Sequence, residues 1–273
     1  MDPRTALTIA GSDSGGGAGI QADLRTFSAF EVHGTSAITA VTAQNTLAVT
    51  GLYHVEPWLV RAQVEAVVDD FDVRAVKTGM LGQPSTVHEV AAMAREGLFT
   101  NLVVDPVLVS STGHSLMSDG GVEAYRDDLL AHATVVTPNL REAAVLADLD
   151  VHDIRTEDDM VNIARIILKY GPAFVLVKGG HFAQSTLTER RSPDILVGAS
   201  DVTVFDAPRV STSNDHGTGC SLSAAIAAGL GYERSVADAS RDAKSFVLAA
   251  LQGAANWHLG AGHGPIDHLG WGS

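Results

Sequence analysis

The chain has 273 residues, 45% hydrophobic and 18% charged, with a formal net charge of −14. This composition provides for a buried core and excludes a disordered chain, and the negative charge argues against a nucleic-acid or anionic-membrane surface. An anionic substrate would have to be attracted locally, by backbone N–H groups, a metal ion or one of only four lysines: Lys77, Lys169, Lys178 and Lys244.

Apolar strand-like runs alternate with helical patterns along the chain. Strands are expected at residues 6–10, 36–42, 74–78, 102–105, 134–137, 174–178, 194–197 and 202–205. Helices are expected at 18–30, 57–71, 85–96, 121–132, 139–147, 158–170, 221–230 and 236–251. In the helix at 57–71, Val60, Val64, Val67, Val68 and Phe71 share one face. Such alternation predicts a mainly parallel sheet with helices on both faces, which binds ligands beyond the carboxyl ends of its strands. The polar stretch 183–192 is the expected mobile loop. No linker, repeat or low-complexity tract divides the sequence, so one domain over 1–273 is expected. The lone Cys220 excludes an internal disulfide and a cysteine-based zinc site. The start, Met1-Asp2-Pro3-Arg4, lacks a signal-peptide layout, and no apolar run would span a bilayer; a cytoplasmic protein is the expectation.

The most informative segment is His216-Gly217-Thr218-Gly219-Cys220. A glycine-rich turn entering a helix presents unpaired N–H groups at the positive dipole end, a ready anion site. The same field is expected to stabilise a Cys220 thiolate, lowering its pKa; the plain alternative is a buried cysteine acting as a small apolar residue. The run Gly11-Ser12-Asp13-Ser14-Gly15-Gly16-Gly17-Ala18-Gly19 follows the first strand. It is neither a G-x-G-x-x-G fingerprint nor a Walker A loop, but it lets backbone approach a small ligand.

Other candidates each have a structural alternative. Asp23, on the next helix, either reaches back to a substrate or is a solvated carboxylate, and taken alone the latter is favoured. Asp105 closes a strand before Pro106 and suits magnesium, or is a turn aspartate. Asn139 and Glu142 have capping-box spacing; otherwise Glu142 serves a magnesium-bound water. Lys178 either meets a phosphate or lies on the surface. His258, His263, Asp267 and His268 lack helical metal spacing and are expected to pack near the site rather than bind metal.

In order along the chain, Ala10–Leu24, Thr42-Ala43-Gln44-Asn45-Thr46, Lys77-Thr78-Gly79-Met80, Asp105-Pro106-Val107, Thr137-Pro138-Asn139-Leu140-Arg141-Glu142-Ala143, Lys178-Gly179-Gly180-His181 and the Cys220 segment resemble the hydroxymethylpyrimidine/phosphomethylpyrimidine kinases of thiamine biosynthesis, in the ribokinase superfamily. The resemblance runs from about Ala6 to Leu251. It implies a ribokinase-like three-layer α/β/α sandwich with a mainly parallel central sheet. It implies two successive ATP-dependent phosphorylations, first of the 5-hydroxymethyl group of 4-amino-5-hydroxymethyl-2-methylpyrimidine, then of the monophosphate. Gln44 would bond the aminopyrimidine edge in a pocket shaped by Gly11, Ala18, Asp23, Met80 and Val107. Lys178, Asn139 and His216 would serve ATP, and Asp105 and Glu142 would serve Mg2+. Gly217, Thr218 and Gly219 would form the anion hole, and Cys220 would take the substrate proton. Relatives suggest a homodimer.

Two departures from the family pattern stand out. Ser221 replaces the commoner threonine and keeps a hydroxyl. Asp215 puts negative charge beside the anion site, so it either turns outward or alters nucleotide affinity. The rival readings are a pyridoxal kinase, against which Gln44 argues, and a catalytically silent pyrimidine-binding protein.

Overall fold

The computed structural model describes residues 2–108, 117–180 and 191–272. His181 and residues 183–190 of the expected mobile stretch lie outside the described residues. The strands are β1 (Thr5–Ser12), β2 (His33–Gln44), β3 (Val49–His54), β4 (Val73–Thr78), β5 (Leu102–Val104), β6 (Val135–Val136), β7 (Phe174–Lys178), β8 (Asp194–Val197) and β9 (Val202–Phe205). They form one sheet in the order β3-β2-β1-β4-β5-β6-β7-β8-β9. The run from β2 to β7 is parallel, and β3, β8 and β9 add on antiparallel at the two sides.

The helices are α1 (Gly19–Ala29), α2 (Pro57–Val68), α3 (Pro84–Arg95), α4 (Gly121–Ala124), α5 (Leu140–Ala147), α6 (Glu157–Leu168), α7 (Thr218–Gly231) and α8 (Val236–Gly253). Successive strand residues point to opposite faces, and the core divides accordingly. Leu7 and Ile9, Val76, Leu102 and Val104, and Val175 and Val177 pack against α2, α3, α5 and α6. Their neighbours Ala6, Ala75, Val103 and Leu176 pack against α1, α7 and α8. Strands buried on both faces read as continuous apolar runs, which is why they were legible. Among the described residues no helix is long and apolar enough to cross a membrane.

Three expectations are corrected. The helix expected over 121–132 is α-helical only to Ala124; a wide π turn (Tyr125–Leu129) and a tight 3-10 turn (Leu130–His132) follow. This change of pitch brings Tyr125, Leu129 and Leu130 all into the core. The strand expected over 134–137 shortens to β6, although the Thr137 N–H still reaches Val104 O (2.9 Å) and Pro138, which has no N–H to give, accepts the Lys178 N–H (2.9 Å). The third, β3, was not expected at all. Gly51 interrupts it, and Val49, Leu52 and Tyr53 are exposed, so it carries no buried alternation; it forms by pairing with the end of β2, from Ala40↔His54 to Gln44↔Val49.

Candidate active site

The carboxyl ends of β1, β2, β4, β5 and β7 converge with the N-termini of α1, α5 and α7. Asp13 organises the glycine-rich loop after β1. Its Oδ1 accepts the Gly15 N–H (2.8 Å), and its Oδ2 accepts those of Gly17 (3.1 Å) and Ala18 (2.9 Å). His216 Nε2 lies 2.9 Å from the same Oδ2. Burial works against the Asp13 charge, but His216 and the N–H donors outweigh it and hold the carboxyl below its ordinary range. The loop interlocks with the α7 turn: Gly217 has φ +87°, and a side chain there would strike the Gly17 carbonyl oxygen. Asp13 had no role in the sequence reading, although an aspartate followed by closely spaced glycines is the signal of a carboxylate-capped turn.

Cys220 is the third residue of α7, so the helix begins earlier than the expected 221. Its sulfur accepts the backbone N–H of Gly19, the first residue of α1. Two helix N-termini therefore face one thiol. The expectation of a lowered pKa is nevertheless overturned. Burial pushes the half-buried thiol up to about 11; Lys77 pulls the other way, and Asp23 and Asp105 add to the rise. Lost hydration and the neighbouring carboxylates outweigh the dipole field.

Gly219 leaves room for charge: a Cβ there would lie 3.1 Å from Lys178 Nζ and 4.0 Å from Asp105 Oδ2. Lys178 is not a surface lysine. It is nearly buried and donates to Asp105 Oδ1 at 2.9 Å. Burial opposes its charge, but Asp105 and Glu142 raise its pKa. Asn139 and Glu142 form the capping box of α5: the Asn139 side chain accepts the Arg141 (2.9 Å) and Glu142 (3.0 Å) N–H groups, and Glu142 Oε2 accepts the Asn139 N–H (2.8 Å). The cap does not exhaust Glu142. The residue is buried facing Lys178 and Asp105, and burial pushes its carboxyl up to about 7.

Asp23 is not solvated. It is fully buried, accepting from Thr8 Oγ1 (2.6 Å) and, through both oxygens, from Lys77 Nζ (2.9 and 2.8 Å). Lys77, also fully buried, has no role in the sequence-based expectations; neither Val76 before it nor Thr78-Gly79 after it signals that it faces inward. Gly11 and Met80 adjoin, with the Gly11 N–H donating to Met80 O at 3.1 Å. Ala18 is the N-cap of α1, Gln44 ends β2, and Val107 turns back after β5 with its N–H on Asp105 O (2.9 Å). His216, grouped by the resemblance with the nucleotide residues, sits against Gly17, Asp13 and Gln44.

Of the four tail residues expected near the site, Asp267 and His268 are buried, while His258 and His263 are exposed. His268 is buried with Nε2 2.8 Å from Ser221 Oγ, its pKa lowered to about 4 by burial. Asp267 accepts the Trp271 (3.0 Å) and Gly272 (2.7 Å) N–H groups. Asp215 turns outward, 2.8 Å from His263 Nδ1. Among the described residues no group of three or more His, Cys, Asp or Glu side chains would hold a metal. Asp105 still suits magnesium, which takes one or two carboxylates and fills its shell with water and phosphate oxygens. Among the described residues no hydrogen-bond donor occupies its Oδ2, which faces the Gly219 turn.

A family model described as phosphomethylpyrimidine kinase matches residues 13–267. A hydroxymethylpyrimidine/phosphomethylpyrimidine kinase of Streptomyces coelicolor is 46% identical over 271 residues, covering 99% of this chain and 96% of the relative. The crystal structure of an ADP complex of Bacillus subtilis pyridoxal kinase superposes with a TM-score of 0.86 at 34% identity, covering 97% of each chain. A phosphomethylpyrimidine kinase structure from Clostridium difficile 630 gives 0.78 at 38% identity, covering 89% of this chain and 97% of that one.

Proposed function

Because the chain belongs to the phosphomethylpyrimidine kinase family, we propose that it phosphorylates 4-amino-5-hydroxymethyl-2-methylpyrimidine and then the monophosphate, using ATP, in thiamine biosynthesis. The observation that carries this reading is the meeting of Cys220, the open α7 N-terminus and the Lys178–Asp105 pair at one end of the sheet.

The hydroxymethyl oxygen attacks the γ-phosphorus of ATP, the bond to the β–γ bridging oxygen breaks, ADP leaves, and the hydroxyl proton passes to the thiolate form of Cys220. Such transfer depends on in-line positioning and charge neutralisation. The N–H groups of Gly217, Thr218 and Gly219 cradle the transferred phosphoryl group, and Lys178 meets the phosphates. Magnesium would be held by Asp105 and, through water, by Glu142, where it would neutralise phosphate charge. Asn139 orients Glu142 and borders the nucleotide. Gln44 meets the pyrimidine edge, with Gly11, Ala18, Met80 and Val107 around the ring and Asp23 beneath it.

We also read the protein as a cytoplasmic homodimer. Val41, Leu47, Val49, Leu52, Tyr53 and Trp58 are exposed along the β2–β3 side, where β3 leaves a free strand edge. The single-domain reading rests on the one continuous sheet.

ADP release with magnesium, offering hydroxymethylpyrimidine, its monophosphate and pyridoxal separately, tests the assignment. Turnover of both pyrimidines is expected. Turnover of pyridoxal alone would move the function to vitamin B6 salvage, the pyridoxal-kinase alternative.

A further inference from the structure

Lys178 stands at the very end of β7, and its backbone is held from two sides. Its N–H donates to Pro138 O at 2.9 Å, just ahead of the α5 cap. Across the sheet it is the last β7 residue to pair with β8, opposite Asp194. There the ladder stops, and the next N–H, that of Gly179, needs an acceptor from elsewhere. The Asp194 side chain supplies it, with Oδ1 accepting the Gly179 N–H at 2.9 Å. The strands close tightly at this point, since a side chain on Gly179 would strike the Pro193 carbonyl oxygen. Asp194 is buried, and its Oδ2 meets a cation from α8, Lys244 Nζ, at 2.7 Å. Lys244 also reaches Ser192 Oγ at 3.3 Å. A buried ion pair is a poor source of stability compared with apolar packing, so its place beside Lys178 calls for another account.

We propose that Asp194 is a positioning residue for phosphoryl transfer: by holding the Gly179 N–H it fixes the peptide on the carboxyl side of Lys178, and so the root from which the Lys178 side chain reaches the phosphates. This rests on Lys178 meeting the phosphates, as proposed above. A peptide unit is planar, so fixing the Gly179 N–H also fixes the Lys178 carbonyl and Cα. With the Pro138 bond on the other side, the direction in which the Lys178 side chain leaves the strand is set, and Nζ stands 2.9 Å from Asp105 Oδ1. Asp194 acts through Lys178, and Lys244 acts through Asp194 by supplying its counter-charge.

The test compares two neutral pairs, Asp194→Asn with Lys244→Met and Asp194→Leu with Lys244→Met. Both remove the two charges together, so neither leaves a buried charge alone. They differ in that asparagine keeps an oxygen for the Gly179 N–H and leucine has none. Misplacing a reacting group by about 1 Å can cost about a hundredfold, so the leucine pair is expected to fall at least about tenfold below the asparagine pair in kcat/KM for ATP. KM for hydroxymethylpyrimidine is expected to agree within about twofold, because Lys178 does not serve that pocket. The difference between the pairs should vanish in a Lys178→Met background, where no ammonium is left to aim. If the leucine pair fails to fold, Asp194→Ala with Lys244→Met makes the same comparison with less volume to place. Equal kcat/KM for ATP in the two pairs, or a difference that persists without Lys178, overturns the positioning role. Wild-type turnover in Lys178→Met instead removes the Lys178 contact on which it rests.

Discussion

Cys220 shows how one residue answers to opposing fields. Two helix N-termini face its sulfur, yet burial and the carboxylates of Asp23 and Asp105 leave the thiol protonated at neutral pH. With its dissociation at about 11, kcat/KM for hydroxymethylpyrimidine should climb with pH between about 7 and 10, close to tenfold per unit. The monophosphate, which carries its own ionised oxygen, should climb less. Cys220→Ala is expected to lose about 10²–10⁴-fold on the hydroxymethyl step; near wild-type turnover there would remove Cys220 from the mechanism. Beneath it, the Lys77–Asp23 pair is fully buried. Lys77→Met leaves Asp23 buried without its cation and should cost about 3–5 kcal/mol in urea denaturation, with most of that restored by adding Asp23→Leu. A single variant as stable as wild type would mean that the pair contributes little. Cys220 and Lys178 were legible from their types and neighbours. Lys77 was not, because inward orientation on a strand leaves no mark when both faces are buried.

At the scale of elements, α5 shows a cap and a charged site sharing residues. Its N-terminus was read correctly from Asn139 and Glu142, and that local explanation is complete as far as it goes. Only packing reveals that the capping carboxylate also faces Lys178 and Asp105. The Glu142 pKa rises from an ordinary 4.5 to about 7. The folded state therefore holds this proton more tightly than the unfolded chain. Its stabilising contribution is full below about pH 4.5 and is lost as pH rises through 7. Glu142→Gln, which still offers an oxygen to the Asn139 N–H, should gain stability relative to wild type as pH rises across that window. Parallel denaturation curves at pH 4.5 and 7.5 measure it, and an unchanged difference counts against the shifted carboxyl. The long amphipathic and fully apolar elements announced themselves by period. The helix after Gly121 did not keep one pitch, because Tyr125, Leu129 and Leu130 all had to reach the core.

For the whole molecule, the sheet closes one side with the short, mostly exposed β3. That side carries Leu47, Leu52, Tyr53 and Trp58 on its surface in a chain of net charge −14. Light scattering at micromolar concentration should give twice the chain mass. Tyr53→Glu combined with Trp58→Glu should return the single-chain mass while circular dichroism stays unchanged. A wild-type monomer would sink the dimer reading. β3 escaped sequence reading for a related reason: its apolar residues face outward, so within one chain they show no buried period.

The sequence by itself determined the layered α/β architecture, since strands buried on both faces and helices with one apolar stripe carry their periods locally. It also determined which segments meet at the site, because glycine turns, strand-end carboxylates and helix caps are written in adjacent residues. The tertiary structure alone decided the charge states: Cys220, Glu142, Lys77 and Asp23 take theirs from neighbours distant in sequence, through burial and Coulomb forces that depend on distances in space. It alone brought His216 Nε2 to Asp13 Oδ2, 203 residues away along the chain and 2.9 Å away in the fold.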